Sequence, residues 1–235
     1  MAEKYTSQIT FVMDTICPWT YIAKRQLETA LKQVSSLPEV TDKVTFSPLR
    51  ILSYQLYPSF PSEPVNTLSW YKDNKFGGSD EKVRVFRDVM ADYGAPVGIT
   101  FKTLASEDGQ LANTFEAHRV LQQVQSEKGP EAAGRVLDGL YRMYFEEGRN
   151  PSSEETLRAA LTEAQLSEED VERIVKDDGE WVAETKRLIR EQASEGVDSV
   201  PYLRIEGKRR DVTLVGAQGV DEYVKALVKT AKESR

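Results

Sequence analysis

The chain has 235 residues, 40% of them hydrophobic and 29% charged, with a net charge of −7 and a single Cys and a single His. Such a chain buries roughly 70–75% of its unfolded surface, which excludes a disordered protein. Its apolar runs fall far short of the ~18–20 residues that a spanning helix needs. An acidic surface offers no attraction for nucleic-acid phosphates. One Cys excludes an intrachain disulfide, and one Cys with one His cannot build a Cys/His zinc site, so no metal is expected. The start, MAEKYTSQIT, lacks the apolar core of a secretory signal, and a reduced, cytoplasmic enzyme with no membrane partner is the expectation.

QITFVMD, residues 8–14, is an apolar, β-rich run that predicts a buried strand. A helix follows from Trp19 to about Ser35, with Leu27, Ala30, Leu31 and Val34 on its apolar face and Pro18 suited to its first turn. KVTFSPLRIL, residues 43–52, predicts a second strand in which Pro48 argues for an irregularity or an edge. The three form a βαβ unit of parallel type. Residues 56–67, Pro- and Ser-rich, read as a loop leaving the sheet.

Helical spacing then dominates, over 79–93, 112–127 and 130–147, with Gly148 as the stop of the last. Ser152 followed by Glu155, and Ser167 followed by Asp170, resemble capping boxes that open two further helices. Another helix runs from Glu180 to Ser194. Strand character returns only in VPYLRIEG, residues 200–207, and DVTLVG, residues 211–216, which read as a β-hairpin, and VDEYVKALVKTA closes the chain as an amphipathic helix. The order divides into a small α/β domain from residues 1–66 and 180–235 and a helical insertion over 67–179.

Cys17 stands between a strand end and a helix N-terminus. Orphan N–H groups and the macrodipole favour an anion there, and such a place can bring a thiol from about 8.5 to between 3.5 and 7.5. A lone cytosolic cysteine is also commonly an inert buried residue. Pro201 opens a strand and is compatible with either peptide isomer. His118 is the one His available to a catalytic triad, yet beside Phe115, Leu121 and Val124 it equally fits a structural role. Trp19 can stack on a planar substrate or pack beside its helix start. Lys208-Arg209-Arg210 reads as a solvated hairpin tip.

The segment CPWTYIAKRQLETAL resembles the active-site helix of the DsbA-like thioredoxin family. It is most similar to the cytosolic branch related to 2-hydroxychromene-2-carboxylate isomerases and kappa-class glutathione transferases. That branch shows CPWCYIGK, an NTxxAHR helix, GVP and SGAQ. This chain shows CPWTYIAK, then Asn113-Thr114-Phe115-Glu116-Ala117-His118-Arg119, then Ser199-Val200-Pro201 and Val215-Gly216-Ala217-Gln218, with YFEEGRN at 144–150 also similar. The resemblance implies an α/β thioredoxin fold with an α-helical insertion between the second and third strands.

It also implies that Val200-Pro201 is a cis peptide facing Cys17, whose preceding backbone pairs with an extended thiol ligand. Gly216, Ala217 and Gln218 match the loop that holds the γ-glutamyl end of glutathione in relatives that use it, though Gln218 stands where those usually carry an Asp. Asn113 and His118 match the helix near the mouth of the site. Pro18 and Trp19 belong to its active-site motif.

Thr20 replaces the second cysteine, so Cys17 cannot close its own disulfide and an outside thiol must resolve any adduct. The Thr20 hydroxyl lies one helical turn on, placed to donate to a thiolate. Three readings remain open. The first is a monothiol oxidoreductase with Cys17 as reactive thiol and glutathione or a similar small thiol as co-substrate. The second is a glutathione-dependent isomerase or transferase acting on an aromatic or polyketide-like small molecule. The third is a redox-inactive thioredoxin-fold binding protein. A homodimer is compatible with the family, although no self-complementary stripe argues for one.

Overall fold

The chain enters its sheet as β1 (Tyr5–Ser7) and β2 (Ile9–Met13) in the computed structural model, which describes residues 4–106, 108–177 and 179–234. Every residue of β2 is buried, as a strand covered on both faces requires. Next come α1 (Pro18–Val34), the short α2 (Pro38–Thr41), β3 (Val44–Phe46) and β4 (Arg50–Ser53). β1 pairs with β3 and β2 with β4, both parallel, and the register slips by one residue between the two pairings. Pro48 lies in that break because it has no N–H for the ladder. Gln8 bridges the gap, donating from Nε2 to the Pro48 carbonyl at 3.0 Å.

The insertion contains β5 (Val65–Asn66), α3 (Thr67–Asn74), α4 (Asp80–Gly94), β6 (Gln110–Leu111), α5 (Phe115–Lys128), α6 (Pro130–Phe145), α7 (Glu154–Glu163) and α8 (Glu168–Lys176), followed by α9 (Glu180–Ser194). β7 (Tyr202–Ile205) and β8 (Val212–Val215) then form the expected hairpin, and α10 (Val220–Glu233) closes the fold. The main sheet runs β4-β2-β7-β8, with β7 antiparallel to both of its neighbours. α1 packs on α10, while α5 and α9 pack on β4. This is a thioredoxin fold whose helices are inserted between the second and third strands of the main sheet. No helix among the described residues is long and apolar enough to cross a membrane.

Three local expectations shift. α3 occupies residues read as the end of a loop or left unassigned; its start is fixed by Asn66, whose Oδ1 accepts the Ser69 N–H at 2.8 Å. Only Thr67 of this helix is buried, so no apolar stripe marks it. α7 is capped by Ser153, accepting from the Thr156 N–H, and Ser152 instead accepts from the Ala117 N–H at 3.3 Å. α5 begins at Phe115 because Asn113 Oδ1 takes the Phe115 N–H at 2.9 Å and turns the chain before the helix.

One fully buried cation holds the insertion together. Arg119 donates to the carbonyls of Ile174 at 2.7 Å and Val175 at 3.2 Å in the last turn of α8, and to Glu116 at 2.7 Å. The guanidinium thereby satisfies orphan carbonyls at the negative end of that helix. Arg119→Met should cost about 2–4 kcal/mol, read as a lowered urea midpoint at constant slope. Arg119→Lys should recover only part of it, because an ammonium cannot reproduce the fork. A loss below about 1 kcal/mol in Arg119→Met would contradict this role.

Candidate active site

Cys17 is the N-cap residue of α1, extended at φ −85° and ψ 113°, with Pro18 following as the first helical residue. Its carbonyl accepts the Thr20 N–H at 3.1 Å, while its own N–H donates to the Asp14 carbonyl at 3.1 Å. The side chain is only 4% exposed. Its thiol donates to the carbonyl of Val200 at 3.7 Å. The Val200–Pro201 bond is cis, as the resemblance implied. Gly216, at φ 78°, donates its N–H to the Pro201 carbonyl at 2.8 Å, which places the 216–218 loop beside the cis peptide.

Electrostatics correct the expectation of an acidified thiol. Burial pushes the Cys17 thiol up to about 12, and the charge of Asp14 adds to the rise. The N–H groups of Thr20 and Trp19 and the Thr20 hydroxyl oppose it without prevailing. A helix N-terminus contributes about 0.3–2 kcal/mol to an anion, whereas stripping water from a buried charge costs several. The dipole loses. At rest Cys17 is a neutral thiol.

Thr20 is fully buried, and its hydroxyl lies 2.7 Å from the Cys17 carbonyl and 2.9 Å from the Asp14 carbonyl, either of which takes its single proton. In the resting protein it therefore closes the helix start, and its pull on a Cys17 thiolate is the weakest of the opposing contributions. Trp19 is half-buried, its ring edge-on to Tyr93 of α4 at 5.1 Å, which makes it a packing contact with the insertion. Asn113 is occupied by backbone: besides accepting from Phe115, it donates to the Phe60 carbonyl at 2.7 Å and the Pro58 carbonyl at 3.2 Å.

His118 is also fully buried, with Nε2 3.2 Å from Asp14 Oδ1. Of the two residues singled out as ligand contacts, Asn113 is thus engaged in scaffold, while His118 is held through Nε2 and its Nδ1 has no partner among the described residues. Ala217 and Gln218 are half-buried beside Gly216, and Gln218 Nε2 folds back on the Val215 carbonyl at 2.8 Å.

Sequence reasoning missed Asp14 and Tyr71, while the spacing that predicts the helix over 130–147 reads Tyr141 and Tyr144 as core of the insertion. Asp14 Oδ2 accepts the Leu56 N–H at 2.7 Å, so this carboxylate joins the turn before α1, the loop after β4 and α5. Its signal was an acidic residue ending an otherwise apolar strand, three positions before the cysteine. Burial raises the Tyr71, Tyr141 and Tyr144 phenols, and the charge of Asp14 raises each further. Tyr57, Phe60, Trp70 and Tyr71 form an aromatic cluster, with Lys75 Nζ 4.6 Å from the Tyr57 ring centroid.

Iodoacetamide should label native Cys17 more slowly than free cysteine at pH 7, and the rate should keep rising about tenfold per pH unit beyond pH 9. A rate half-maximal near pH 8.5 would mean an ordinary thiol.

Residues 8–228 match the DSBA-like thioredoxin domain. A probable DsbA oxidoreductase from Streptomyces coelicolor superposes with a TM-score of 0.80 at 24% identity, covering 97% of this chain and 91% of that one. The cytosolic disulfide reductase DsbM from Pseudomonas aeruginosa gives 0.60 at 16% identity over 97% and 96% of the two chains, and 0.59 at 15% in its structure with GSH, over 97% and 96%. A 2-hydroxychromene-2-carboxylate isomerase gives 0.61 at 14% identity over 97% of each chain. No curated protein sequence matches this one. At these identities the structural likeness speaks for the fold, and the domain match spans nearly the whole sequence. The chain belongs to the DSBA-like thioredoxin family.

Proposed function

We propose that this protein is a thiol-dependent isomerase or transferase that binds a small thiol of the glutathione type along the Val200 backbone. Cys17 serves it as a protonated hydrogen-bond donor to the sulfur of that thiol. The observation that carries this reading is the buried Cys17 thiol donating to the Val200 carbonyl, with a carboxylate rather than a cation as its charged neighbour. The structure of DsbM with GSH, a member of the same fold, supports glutathione as the class of thiol.

In the reaction the bound thiolate adds to an electrophilic carbon of a conjugated substrate, and the displaced π electrons move to the acceptor end. For isomerisation those electrons return after bond rotation and expel the thiolate; for transfer a proton traps the adduct. Nothing is oxidised or reduced. The aromatic cluster of Tyr57, Phe60, Trp70 and Tyr71, with Lys75 over it, suits a planar, anionic substrate.

Monothiol exchange is the second reading, favoured by the retention of Cys17 against the cis-proline backbone. It asks more of the site. With the thiol near 12, about one molecule in 10⁵ carries a thiolate at pH 7, and the greater nucleophilicity of a basic thiolate recovers only part of that loss.

The two readings part on a conservative variant. Cys17→Ser keeps a donor and removes the nucleophile, so it should bind reduced glutathione within several-fold of the parent in isothermal titration. Cys17→Ala should lose about tenfold, the loss of one hydrogen bond to a charged sulfur. Oxidised glutathione should leave no mixed disulfide on the parent protein by intact mass. A stoichiometric adduct, released by added thiol, would establish the oxidoreductase instead.

A further inference from the structure

His118 stands in the first turn of α5 with no solvent exposure. Its Nε2 lies 3.2 Å from Asp14 Oδ1, and its Nδ1 has no partner among the described residues. A neutral imidazole carries one donor and one acceptor nitrogen, and an ionised carboxylate only accepts. The ring proton therefore belongs on Nε2, and Nδ1 keeps a bare lone pair. A second proton there would leave a buried, charged N–H without an acceptor. His118 thus gives the carboxylate a hydrogen bond without cancelling its charge, and among the described residues Asp14 has no Arg or Lys partner.

That carboxylate is wedged into the turn that leads to Cys17. Oδ1 also receives the N–H of Ile16, the residue before the cysteine, at 3.4 Å, and Oδ2 receives the Leu56 N–H at 2.7 Å. The Asp14 carbonyl takes the Cys17 N–H at 3.1 Å, and the thiol in turn donates to the Val200 carbonyl at 3.7 Å. A series of short contacts therefore runs from α5 of the insertion to the cis peptide. The titratable groups that feel the charge are Cys17, Tyr71 of α3, and Tyr141 and Tyr144 of α6, none of which becomes a cation. A like charge so placed opposes a thiolate.

We propose that His118 is a positioning residue for Cys17: its Nε2–H pins the ionised Asp14 carboxylate in the turn before α1 and so holds the cysteine as an S–H donor facing Val200. This role rests on the protonated-donor reading of Cys17 and names the group that sustains it, whichever small thiol binds. A lysine or arginine in the same place would neutralise the carboxylate and end its hold on the sulfur. A neutral imidazole anchors the charge and leaves it active. The helical insertion thereby sets the protonation of a thiol that belongs to the thioredoxin domain.

The test reads the iodoacetamide rate of Cys17 against pH in the full, unliganded chain. His118→Leu removes the donor, and it should speed alkylation about tenfold at pH 9 and displace the profile downward by about one pH unit. His118→Gln keeps an N–H at similar reach and should stay within about threefold of the parent. A merely loosened site would speed labelling in both variants alike. Asp14→Asn removes the charge itself and should also speed alkylation, after which His118→Leu should add less than about twofold. An unchanged rate in His118→Leu, an equal gain in His118→Gln, or full additivity with Asp14→Asn overturns the assignment. If the parent rate is half-maximal near pH 8.5 while His118→Leu still lowers the profile and His118→Gln restores it, the role of His118 stands and the protonated-donor reading falls.

Discussion

The site is organised around the carboxylate of Asp14. It ends the central strand, fully buried, and its two oxygens receive the Leu56 N–H at 2.7 Å, the Ile16 N–H at 3.4 Å and His118 Nε2 at 3.2 Å. Its backbone carbonyl takes the N–H of Cys17 and is within reach of the Thr20 hydroxyl. A buried carboxylate is tolerated only when such partners surround it. Through them one residue holds the strand end, the turn before α1, the loop after β4 and the first turns of α5 in one place. The thioredoxin sheet and the helical insertion meet there.

The same arrangement sets the chemistry. A negative charge held three residues before the cysteine, within a packed and buried turn, opposes a second negative charge on its sulfur. The helix N-terminus that ordinarily activates such a cysteine is outweighed. Thr20 removes the partner thiol and spends its own hydroxyl on the turn. What remains is a neutral S–H facing the backbone before a cis proline, an arrangement better suited to receiving a sulfur than to attacking one. Phenols of the insertion, Tyr71, Tyr141 and Tyr144, are raised by burial and further by the charge of Asp14.

Features governed by local pattern were legible in the sequence. The continuous apolar run at 9–13, Pro18 opening α1, the Ser167 cap and the hairpin ending near Val215 all follow from residues close to each other along the chain. Pro48 announced the break in the second strand, though not the one-residue slip that accompanies it. The family motif brought Val200-Pro201 to Cys17 although they lie far apart in sequence. Burial and long-range pairing were not legible. Nothing local couples Asp14 to His118, 104 positions away, or tells that Asn113 would be consumed by backbone groups around Pro58 and Phe60. The protonation state of Cys17 depends on those contacts, so position at a helix start pointed the wrong way.

A single cysteine makes the central claim directly measurable. Protein labelled with ¹³C at cysteine Cβ gives one resonance, whose chemical shift distinguishes thiol from thiolate. Followed from pH 6 to pH 11, the Cys17 signal should stay at its thiol position through pH 9 and begin to move only above it. A midpoint at or below about 8.5, the value of an unperturbed cysteine, would contradict the account of Cys17 as a protonated donor.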